Sequence, residues 1–344
     1  MNTLLFLLIT LLSVKVAIPK DPPKTNLKQD SKILIAGANG LVGSAVKRRL
    51  EQEHYSNILT PSRQELDYTN RTAVYNYFEK NKPEYVIIGA ARVGGIQAND
   101  QYPALFITDN TDIELNLIKA AHDCASIKKL IFLGSSCIYP RKCPQPMKEE
   151  YLLTGPLEKT NEWYAIAKIL GLKLCQAYKK QYGDNFISCM PTNLYGIGDN
   201  FDLETSHVLP ALIAKIIDAH EQDRPTVTIW GTGQAKREFL YVDDLADAII
   251  FLLKNYDGDQ WINVGTGQDC TIAELAQEIA NIVGYKGQFV YNTTKPDGTP
   301  RKLLDVSKLE EMGWKAPTSL RKGLEKTIAW YKEHKHEARH TTHS

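Results

Sequence analysis

The sequence predicts an α/β fold in which a doubly wound parallel sheet carries helices on both faces, with a smaller C-terminal α/β lobe. Two observations predict it. Short apolar runs rich in β-branched residues alternate with amphipathic helical stretches, and a glycine-rich turn follows the first run. A chain of 344 residues, 43% hydrophobic and 24% charged, is long enough for a Rossmann unit and a companion lobe.

The predicted elements alternate between strand and helix along the first half of the chain. Strands that are apolar throughout indicate a sheet buried on both faces. In chain order the strand and helix runs are Lys32–Ala36, Ser44–Gln52, Asn57–Leu59, Tyr85–Gly89, Asp109–Ala121, Lys129–Leu133 and Trp163–Tyr182.

From about Gly196 the pattern loosens into loops such as 231–236 and 295–301. Helices are expected over Asp243–Leu253 and Thr271–Val283, because acidic residues or a threonine stand at their starts. We therefore predict a Rossmann domain over 31–195 that also takes in about 240–264, and a smaller lobe that makes up most of 196–332.

Both ends of the chain are expected to lie outside the fold. Residues 1–30 combine a short apolar run, Leu4–Val14, with a polar linker; the run is shorter than the roughly 20 residues that span a bilayer. A secretory signal, a weak membrane anchor and a non-functional leader all remain open. Residues 333–344 read as a disordered tail, whose four histidines lack any feature that would fix a metal site: His334, His336, His340 and His343.

Charge and cysteine content exclude several classes of protein. The 41 basic and 40 acidic residues leave a net charge of +1, so no general attraction to nucleic acid or anionic membrane is expected. The six cysteines show neither CxxC pairs nor metal-ligand spacing, and the chain is too long to need a disulfide framework. They indicate reduced thiols of an intracellular, cytoplasmic protein and predict no metal.

The glycine turn has the spacing GxxGxxG. Gly37 permits a tight turn, Gly40 lets backbone amides approach a diphosphate, and Gly43 allows the following helix to pack closely. Because the turn follows the first strand, the diphosphate of a dinucleotide would lie at the N-terminus of that helix.

The residues after the second strand indicate which dinucleotide is preferred. A site that prefers NAD usually offers an acid to the ribose hydroxyls about twenty residues after the glycine turn. Here Arg63 follows Thr60, Pro61 and Ser62, and no acid occurs before Glu65. An arginine suits a 2′-phosphate, so the sequence favours NADP.

A YxxxK pair, Tyr164 and Lys168, lies on a predicted helix, where four-residue spacing places both side chains on one face. An ammonium near the phenol is expected to lower the tyrosine pKa, so that a proton can pass to an oxygen while hydride reaches its carbon. Ser135, at the end of the strand Lys129–Leu133, could donate a hydrogen bond to the same oxygen. Ser135 and Ser136 could instead only cap a turn.

Together these features resemble the extended short-chain dehydrogenase/reductase family of nucleotide-sugar type. Further blocks resemble, more closely, the branch that epimerises and reduces GDP-4-keto-6-deoxy-mannose. The resemblance runs from about Lys32 to Tyr331, and the blocks are 91–99, 133–140, 164–168, 191–196, 199–201, 237–239 and 295–302.

The resemblance implies a bifunctional NADPH-dependent 3,5-epimerase and 4-reductase that converts GDP-4-keto-6-deoxy-D-mannose to GDP-L-fucose. Cys137 and His207 match the family's epimerising thiol and histidine, two groups that change protonation near neutral pH. Tyr164 would be the acid of the reduction, with Lys168 and Ser135 orienting. On the residues alone, Cys137 and His207 would read as a buried thiol and a structural histidine.

The resemblance also implies the binding residues and a homodimer around 109–121 and 163–182. The implied substrate contacts, to the GDP moiety, are Lys215, Trp230, Arg237 and Asp297. Lys215 stands where relatives carry an arginine, and a lysine cannot form an arginine's bidentate hydrogen bonds. The implied cofactor contacts are Gly37, Ala38, Asn39, Gly40, Leu41, Val42, Gly43, Arg63, Leu133, Gly134, Ser135, Ser136, Lys168, Pro191, Thr192, Asn193, Leu194 and His207.

Two other functions compete with this one on the sequence. A sibling nucleotide-sugar epimerase or dehydratase with tightly bound NAD would share the glycine turn and YxxxK. This alternative does not explain the missing acid near Thr60 or the Cys137/His207 pair. A dinucleotide-sensing or scaffold protein would need a broken catalytic set, whereas Ser135, Tyr164 and Lys168 are all present.

Overall fold

The structure, a computed structural model, describes residues 26–295 and 297–338, apart from the side chains of residues 96 and 97. The apolar run Leu4–Val14 and the last two tail histidines, His340 and His343, lie outside the described residues. Within the described ranges, no helix is both long and apolar enough to cross a bilayer.

The strands of the described residues are β1 (Ile33–Ala36), β2 (Ile58–Leu59), β3 (Tyr85–Ile88), β4 (Lys129–Leu133), β5 (Phe186–Pro191), β6 (Asn193–Tyr195), β7 (Thr226–Trp230), β8 (Lys236–Tyr241), β9 (Ile262–Val264), β10 (Asp269–Thr271), β11 (Gln288–Asn292) and β12 (Arg301–Lys302). The helices are α1 (Leu41–Gln52), α2 (Arg71–Asn81), α3 (Ile96–Gln101), α4 (Pro103–Asp123), α5 (Glu162–Tyr182), α6 (Val208–Glu221), α7 (Val242–Asn255), α8 (Ile272–Val283), α9 (Ser307–Glu311) and α10 (Leu320–Ala338).

Six strands form one fully parallel sheet in the order β2-β1-β3-β4-β5-β9. The strand order reverses between β1 and β3, and the carboxyl ends of the strands beside such a switch point form a crevice that binds ligands in open α/β sheets. The predicted doubly wound parallel sheet is confirmed, and β4 has the predicted bounds.

Alternate residues of each strand supply two separate cores, one on each face of this sheet. Ile33 and Ile35 pack into a cluster with α1 and α7, whereas Leu34 and Ala36 pack into a cluster with α2, α4 and α5. Both faces are therefore buried, which explains why the strands are apolar throughout.

The second lobe holds the remaining strands around a third core, formed with α6, α8 and α10. Strand β8 pairs with β6, β10 and β12, and β7 pairs with β11. Between these strands the chain returns to the first lobe, where α7 packs on α1 and β9 joins the large sheet.

The N-terminal boundary of the fold was placed too late. Leu27 packs against the first core, the Tyr85 hydroxyl donates a hydrogen bond to the Asn26 carbonyl at 3.2 Å, and the Ser56 amide donates to the Gln29 carbonyl at 2.9 Å. Residues 26–30 are therefore part of the first domain, because they cover its edge, and are not linker.

The predicted disordered tail over 333–344 is wrong for residues 333–338, which continue α10. The His334 ring stacks on Trp330 at 4.8 Å, and its Nδ1 lies 2.9 Å from the Trp330 carbonyl oxygen. Lys335 forms an ion pair with Asp218 at 2.8 Å, and Ala338 is buried. These contacts stabilise a helical end that the polar composition of the tail does not indicate.

Candidate active site

The glycine turn between β1 and α1 lies at the N-terminus of α1 and is called the phosphate cradle below. Gly37 has φ +87°, and a Cβ built on it would lie 2.7 Å from the backbone of Ala90; a Cβ on Gly43 would lie 2.1 Å from the Gly37 carbonyl oxygen. A Cβ on Gly40 would instead make ordinary van der Waals contact, 3.5 Å from the Gly37 carbonyl oxygen. Among the described residues, no side chain caps the N-terminus of α1. Its free amides and positive dipole end therefore fit a dinucleotide diphosphate.

The end of β2 fits the phosphate-bearing form of the dinucleotide. Arg63 is exposed just beyond this strand, next to β1 in the sheet. The nearest acid, Glu65, is bound by its own turn, because the Ser62 amide and hydroxyl both donate to its carboxylate at 2.8 Å. The arginine is thus available to a 2′-phosphate, while the acid is already engaged.

Further predicted cofactor residues lie at the carboxyl ends of β4 and β5. Gly134 lies directly against Met190, with only 2.2 Å between a built Cβ and the Met190 sulfur. The Thr192 amide donates to the Val264 carbonyl at 3.0 Å, and the Asn193 amide side chain donates to the Glu238 carbonyl at 2.8 Å. The 133–136 and 191–194 segments are thereby held along the ligand-binding edge of the sheet.

The turn after β4 carries the predicted serine and thiol. Ser135 is half-buried and caps a short 3₁₀ turn, where its hydroxyl accepts a hydrogen bond from the Cys137 amide at 3.4 Å. The capping role and the catalytic role are compatible, because the same hydroxyl remains a donor. Burial raises the pKa of the Cys137 thiol, while Ser135 and the charges of Lys302 and Lys168 act in the opposite direction.

The predicted YxxxK pair lies on α5, which packs against this turn. Lys168 is 2% exposed; its Nζ donates to the Leu133 carbonyl at 3.1 Å and lies 5.7 Å from the Tyr164 ring centre. The same Nζ forms an ion pair with Glu114 of α4 at 3.0 Å. The structure therefore brings Ser135, Cys137, Tyr164 and Lys168 into one site.

The expectation that Lys168 lowers the Tyr164 pKa is wrong for this structure. The pKa of Tyr164 is raised well above its usual value, by burial first and then by the neighbouring Cys137 and Glu114. Burial of the phenol is the main physical reason; the Glu114 carboxylate, 3.0 Å from the Lys168 ammonium, adds to it by offsetting the charge of that ammonium.

A small cavity lies beside the thiol. Among the residues that line it are Cys137, Glu158 and Lys302. Lys302 is half-buried, and burial lowers its pKa while the nearby Cys137 raises it. A cation therefore faces the thiol across the cavity, as a thiolate base requires.

His207 lies at the N-terminus of α6 and is exposed. Its loop lies close to the loop before α3, where a Cβ on Gly95 would be 3.7 Å from the Ser206 carbonyl oxygen. The adjacent Gly94 packs on Phe106, whose ring makes an edge contact with Tyr164 at 6.5 Å. The loop that carries His207 therefore lies beside a loop that packs, through Phe106, near Tyr164.

The four predicted nucleotide contacts lie near one another in the second lobe. Trp230 is 53% exposed, and the Lys215 ammonium lies 5.2 Å from its ring centre. Arg237 donates to the Asp297 carbonyl at 3.4 Å, while the Asp297 carboxylate accepts from the Thr232 amide at 2.7 Å. A cationic, aromatic surface of this kind suits a nucleoside diphosphate.

Three residues of this site were missed from the sequence: Glu114, Lys302 and Lys295, whose ammonium lies 5.1 Å from the Trp230 ring centre. The two lysines lie inside the 295–302 block, and nothing in their local sequence marks them as site residues. Glu114 carries one, because it shares the apolar face of α4 with Leu117 and Ile118, three and four residues on. A charged side chain on such a face is rarely buried unless it has a partner of opposite charge.

No group of three or more metal-ligating side chains occurs among the described residues. His334 and His336 both belong to α10, where the His334 ring is stacked on Trp330.

Comparisons with known proteins show the family of the chain. Residues 33–265 match the NAD dependent epimerase/dehydratase family. The chain is 52% identical over 303 residues to GDP-L-fucose synthase 1 of Arabidopsis thaliana, covering 88% of this chain and 94% of that protein. It is 50% identical over 312 residues to the GDP-L-fucose synthase of Escherichia coli (strain K12), covering 88% and 97%.

Among solved structures, a GDP-L-fucose synthetase from Naegleria fowleri bound to NADP superposes with a TM-score of 0.83 at 29% identity, covering 93% of this chain and 99% of that one. The chain therefore belongs to the NAD dependent epimerase/dehydratase family and, within it, to the GDP-L-fucose synthase family.

Proposed function

We propose that this protein is a bifunctional NADPH-dependent 3,5-epimerase and 4-reductase that converts GDP-4-keto-6-deoxy-D-mannose to GDP-L-fucose. The observation that carries the proposal is the packing of the Ser135–Cys137 turn against the helix of Tyr164 and Lys168. It joins a thiol to a proton-donating phenol at the carboxyl edge of the sheet, beside a phosphate cradle. The names and NADP of the relatives support the same reaction here.

We assign epimerisation to Cys137 and His207. Protons on the carbons beside a ketone are acidic, so one group can remove a proton as base while the other returns one to the opposite face. Lys302, across the cavity from Cys137, favours the thiolate form of this base.

Reduction falls to Ser135, Tyr164 and Lys168. NADPH, when bound, supplies the hydride for carbon 4. The Tyr164 hydroxyl delivers a proton to the ketone oxygen, and the Ser135 hydroxyl donates a hydrogen bond to the same oxygen. Lys168 orients the tyrosine from the buried side of α5.

We assign cofactor binding to residues 31–195 with about 240–264, and substrate binding mainly to 196–332. The return of α7 and β9 to the large sheet supports the first assignment. The Trp230, Lys215, Arg237 and Asp297 cluster supports the second.

The test incubates the full chain with NADPH and GDP-4-keto-6-deoxy-D-mannose and follows nicotinamide absorbance and the sugar product. We expect one NADPH oxidised for each GDP-L-fucose formed. Untouched NADPH, or reduction without inversion at carbons 3 and 5, contradicts the proposal. Co-purification of bound NAD would then favour the sibling epimerase or dehydratase.

We also propose that the protein works as a homodimer through α4 and α5. Trp163, Ile166 and Leu170 are 37–41% exposed and follow one face of α5. The substitution Ile166→Glu is expected to reduce the mass measured by light scattering from two chains to one, whereas Lys180→Glu on the same helix leaves it unchanged. A wild-type protein of single-chain mass contradicts the dimer.

A cytoplasmic location is the remaining proposal. It is supported by the cysteines, all six of which are free thiols. Sedimentation of cell membranes tests it: the full chain should stay in the supernatant. Recovery with the membranes, abolished by deletion of residues 1–25, would indicate an anchor in the leader instead.

A further inference from the structure

We propose that Glu114 is a positioning residue that holds Lys168 and offsets its charge, so that Tyr164 stays protonated and acts as an acid. The proposal concerns the reductive half of the proposed function and rests on it. It follows from the buried ion pair between α4 and α5, and it assigns a role to an acid that neither the glycine turn nor the YxxxK motif includes.

The ion pair is fully enclosed. Glu114 is 0% exposed and Lys168 2% exposed, and Nζ lies 3.0 Å from the carboxylate. Among the described residues, Lys168 is the cation within ion-pair distance of Glu114. Burial raises the pKa of the Glu114 carboxyl, while the Lys168 ammonium acts in the opposite direction. The charge of Glu114 therefore depends on Lys168, because a buried charge without a partner is costly.

Neighbouring residues are shaped to admit this carboxylate. A Cβ on Gly171 would lie 2.5 Å from Glu114 Oε2 and 2.4 Å from the Phe132 ring, so only glycine lets α5 approach α4 at this point. The Lys168 ammonium also lies 4.9 Å from the centre of the Phe132 ring. The lysine is thus fixed from three sides, by Glu114, Phe132 and the Leu133 carbonyl.

The charge arrangement bears on the direction of proton transfer. The groups that face Tyr164 and Lys168 are Glu114 on α4, Cys137 on the turn after β4 and, beyond Cys137, Lys302 on β12. A lone ammonium beside a phenol would favour phenolate, which accepts protons. Paired with a carboxylate, the same ammonium orients the tyrosine without depleting its proton.

The reduction of the carbon 4 ketone requires a protonated Tyr164 phenol. As the ketone is reduced, hydride from NADPH adds to carbon 4, the C=O π electrons move to oxygen, and the Tyr164 O–H bond breaks to form the new alcohol. NADPH becomes NADP⁺, and the phenolate regains a proton from solvent before the next turnover. A tyrosine already ionised cannot perform this step.

The test replaces Glu114 by Gln, which keeps the shape and removes the charge. The alkaline limb is the pH range in which NADPH oxidation slows as Tyr164 ionises. We expect it to move down by about one pH unit or more, because the Lys168 ammonium, no longer offset by Glu114, then stabilises the Tyr164 phenolate. Asp123→Asn, an exposed carboxylate on the same helix, is the matched control and should leave the limb in place.

A second readout needs no substrate. Phenolate absorbance is titrated in Glu114→Gln and in the same variant carrying Tyr164→Phe, and the difference isolates Tyr164. We expect the Tyr164 signal to appear at lower pH in Glu114→Gln than in the wild-type pair. Because this titration is independent of turnover, an inactive wild type would contradict the proposed function without touching this result.

If Glu114→Gln does not fold, as judged by circular dichroism, the same two measurements are made on Glu114→Asp. Its shorter side chain retains the charge but holds it farther from Lys168, so both readouts should move in the same direction by a smaller amount. An unchanged limb and an unchanged Tyr164 titration in whichever variant folds would overturn the proposal and leave Glu114 a purely structural partner.

Discussion

Cys137 is the residue whose chemistry separates the two halves of the proposed reaction. It lies on the 3₁₀ turn after β4, while the hydride-transfer residues Tyr164 and Lys168 lie on α5. Replacing its sulfur by oxygen raises the pKa of the base far above neutrality without changing the shape of the turn.

We therefore expect Cys137→Ser to bind NADPH as the wild type does and to lose at least about 99% of epimerisation, in line with removal of a general base. The measurement is exchange of the substrate's carbon 3 and carbon 5 protons with deuterated solvent. Cys124→Ser, a half-buried thiol remote from the site, serves as control. Full exchange in Cys137→Ser would remove the thiol from the mechanism.

Lys302 is the electrostatic counterpart of that thiol. Its charge lowers the pKa of Cys137 against the effect of burial, and both residues line one cavity. We expect Lys302→Met to shift the pH profile of Cys137 alkylation by iodoacetamide upward by about one unit, which at neutral pH means about tenfold less thiolate.

The peptide that carries Cys137 is quantified by mass spectrometry across pH. Lys286→Met removes an exposed lysine of the second lobe and should leave the profile unchanged. An unshifted profile in Lys302→Met would show that burial, Ser135 and Lys168 set the reactivity of the thiol without Lys302.

At the scale of elements, the packing of α4 on α5 positions the whole reductive site. Gly171 lies where the two helices meet Phe132, and a Cβ there would come within 2.5 Å of atoms on both sides. Alanine is the better helix former by about 1 kcal/mol, but forcing atoms into a filled core costs about 1–3 kcal/mol.

We expect Gly171→Ala to lower the free energy of unfolding by up to about 2 kcal/mol, measured by urea titration, because the clash outweighs the gain in helix propensity. Lys180→Ala, an exposed substitution on the same helix, separates propensity from packing and should be neutral or slightly stabilising. A stabilised Gly171→Ala would mean that α4 and α5 can move apart at no cost.

The elements also show how much could be predicted from the sequence. The first four strands, β1 to β4, and the capped helix α8 are predicted within about a residue, because burial on both faces and a Thr271–Glu274 capping box are local signals. The sequence predicts no bounds for the later strands. Helix α4 begins at Pro103, six residues before the predicted start, because the sequence 103–108 mixes apolar and polar residues without a cap.

Tertiary contacts explain what the sequence did not show in the site. The YxxxK pair is a local motif, and its two side chains were readily placed on one helix face. The raised pKa of Tyr164 comes first from burial and then from Cys137 and Glu114, of which Glu114 lies on another helix, 54 positions before Lys168. The direction of this pKa could therefore not be predicted from the local motif. Lys302 meets Cys137 only because β12 joins the sheet of β8.

At the scale of the whole molecule, the segment 198–201 links the two lobes. A Cβ on Gly198 would lie 3.7 Å from the Ser44 hydroxyl of α1, and Phe201 stacks on Tyr331 of α10 at 4.3 Å. Between them Asp199 is buried; its Oδ1 accepts the Asn200 amide at 2.8 Å, while its Oδ2 has no hydrogen-bond partner among the described residues.

This carboxyl makes the stability of the molecule depend on pH. Burial raises the pKa of Asp199 from 3.8 to about 7. Between these values the folded state holds a proton that the unfolded state has released, so stability falls as pH rises from about 4 to about 7 and is level above. A difference of about three units corresponds to roughly 4 kcal/mol.

We therefore expect Asp199→Asn, which keeps the shape and cannot ionise, to match the wild type near pH 4 and to exceed it by up to roughly 4 kcal/mol at pH 8. The measurement is the free energy of unfolding from urea titrations of both proteins at each pH, and only their difference is interpreted, since other buried acids titrate equally in both. Asp223→Asn, at an exposed turn that asparagine accommodates, should show no such pH-dependent gain. An Asp199→Asn difference that stays constant with pH would mean that Asp199 is ionised throughout and that its buried oxygen is solvated in the folded protein.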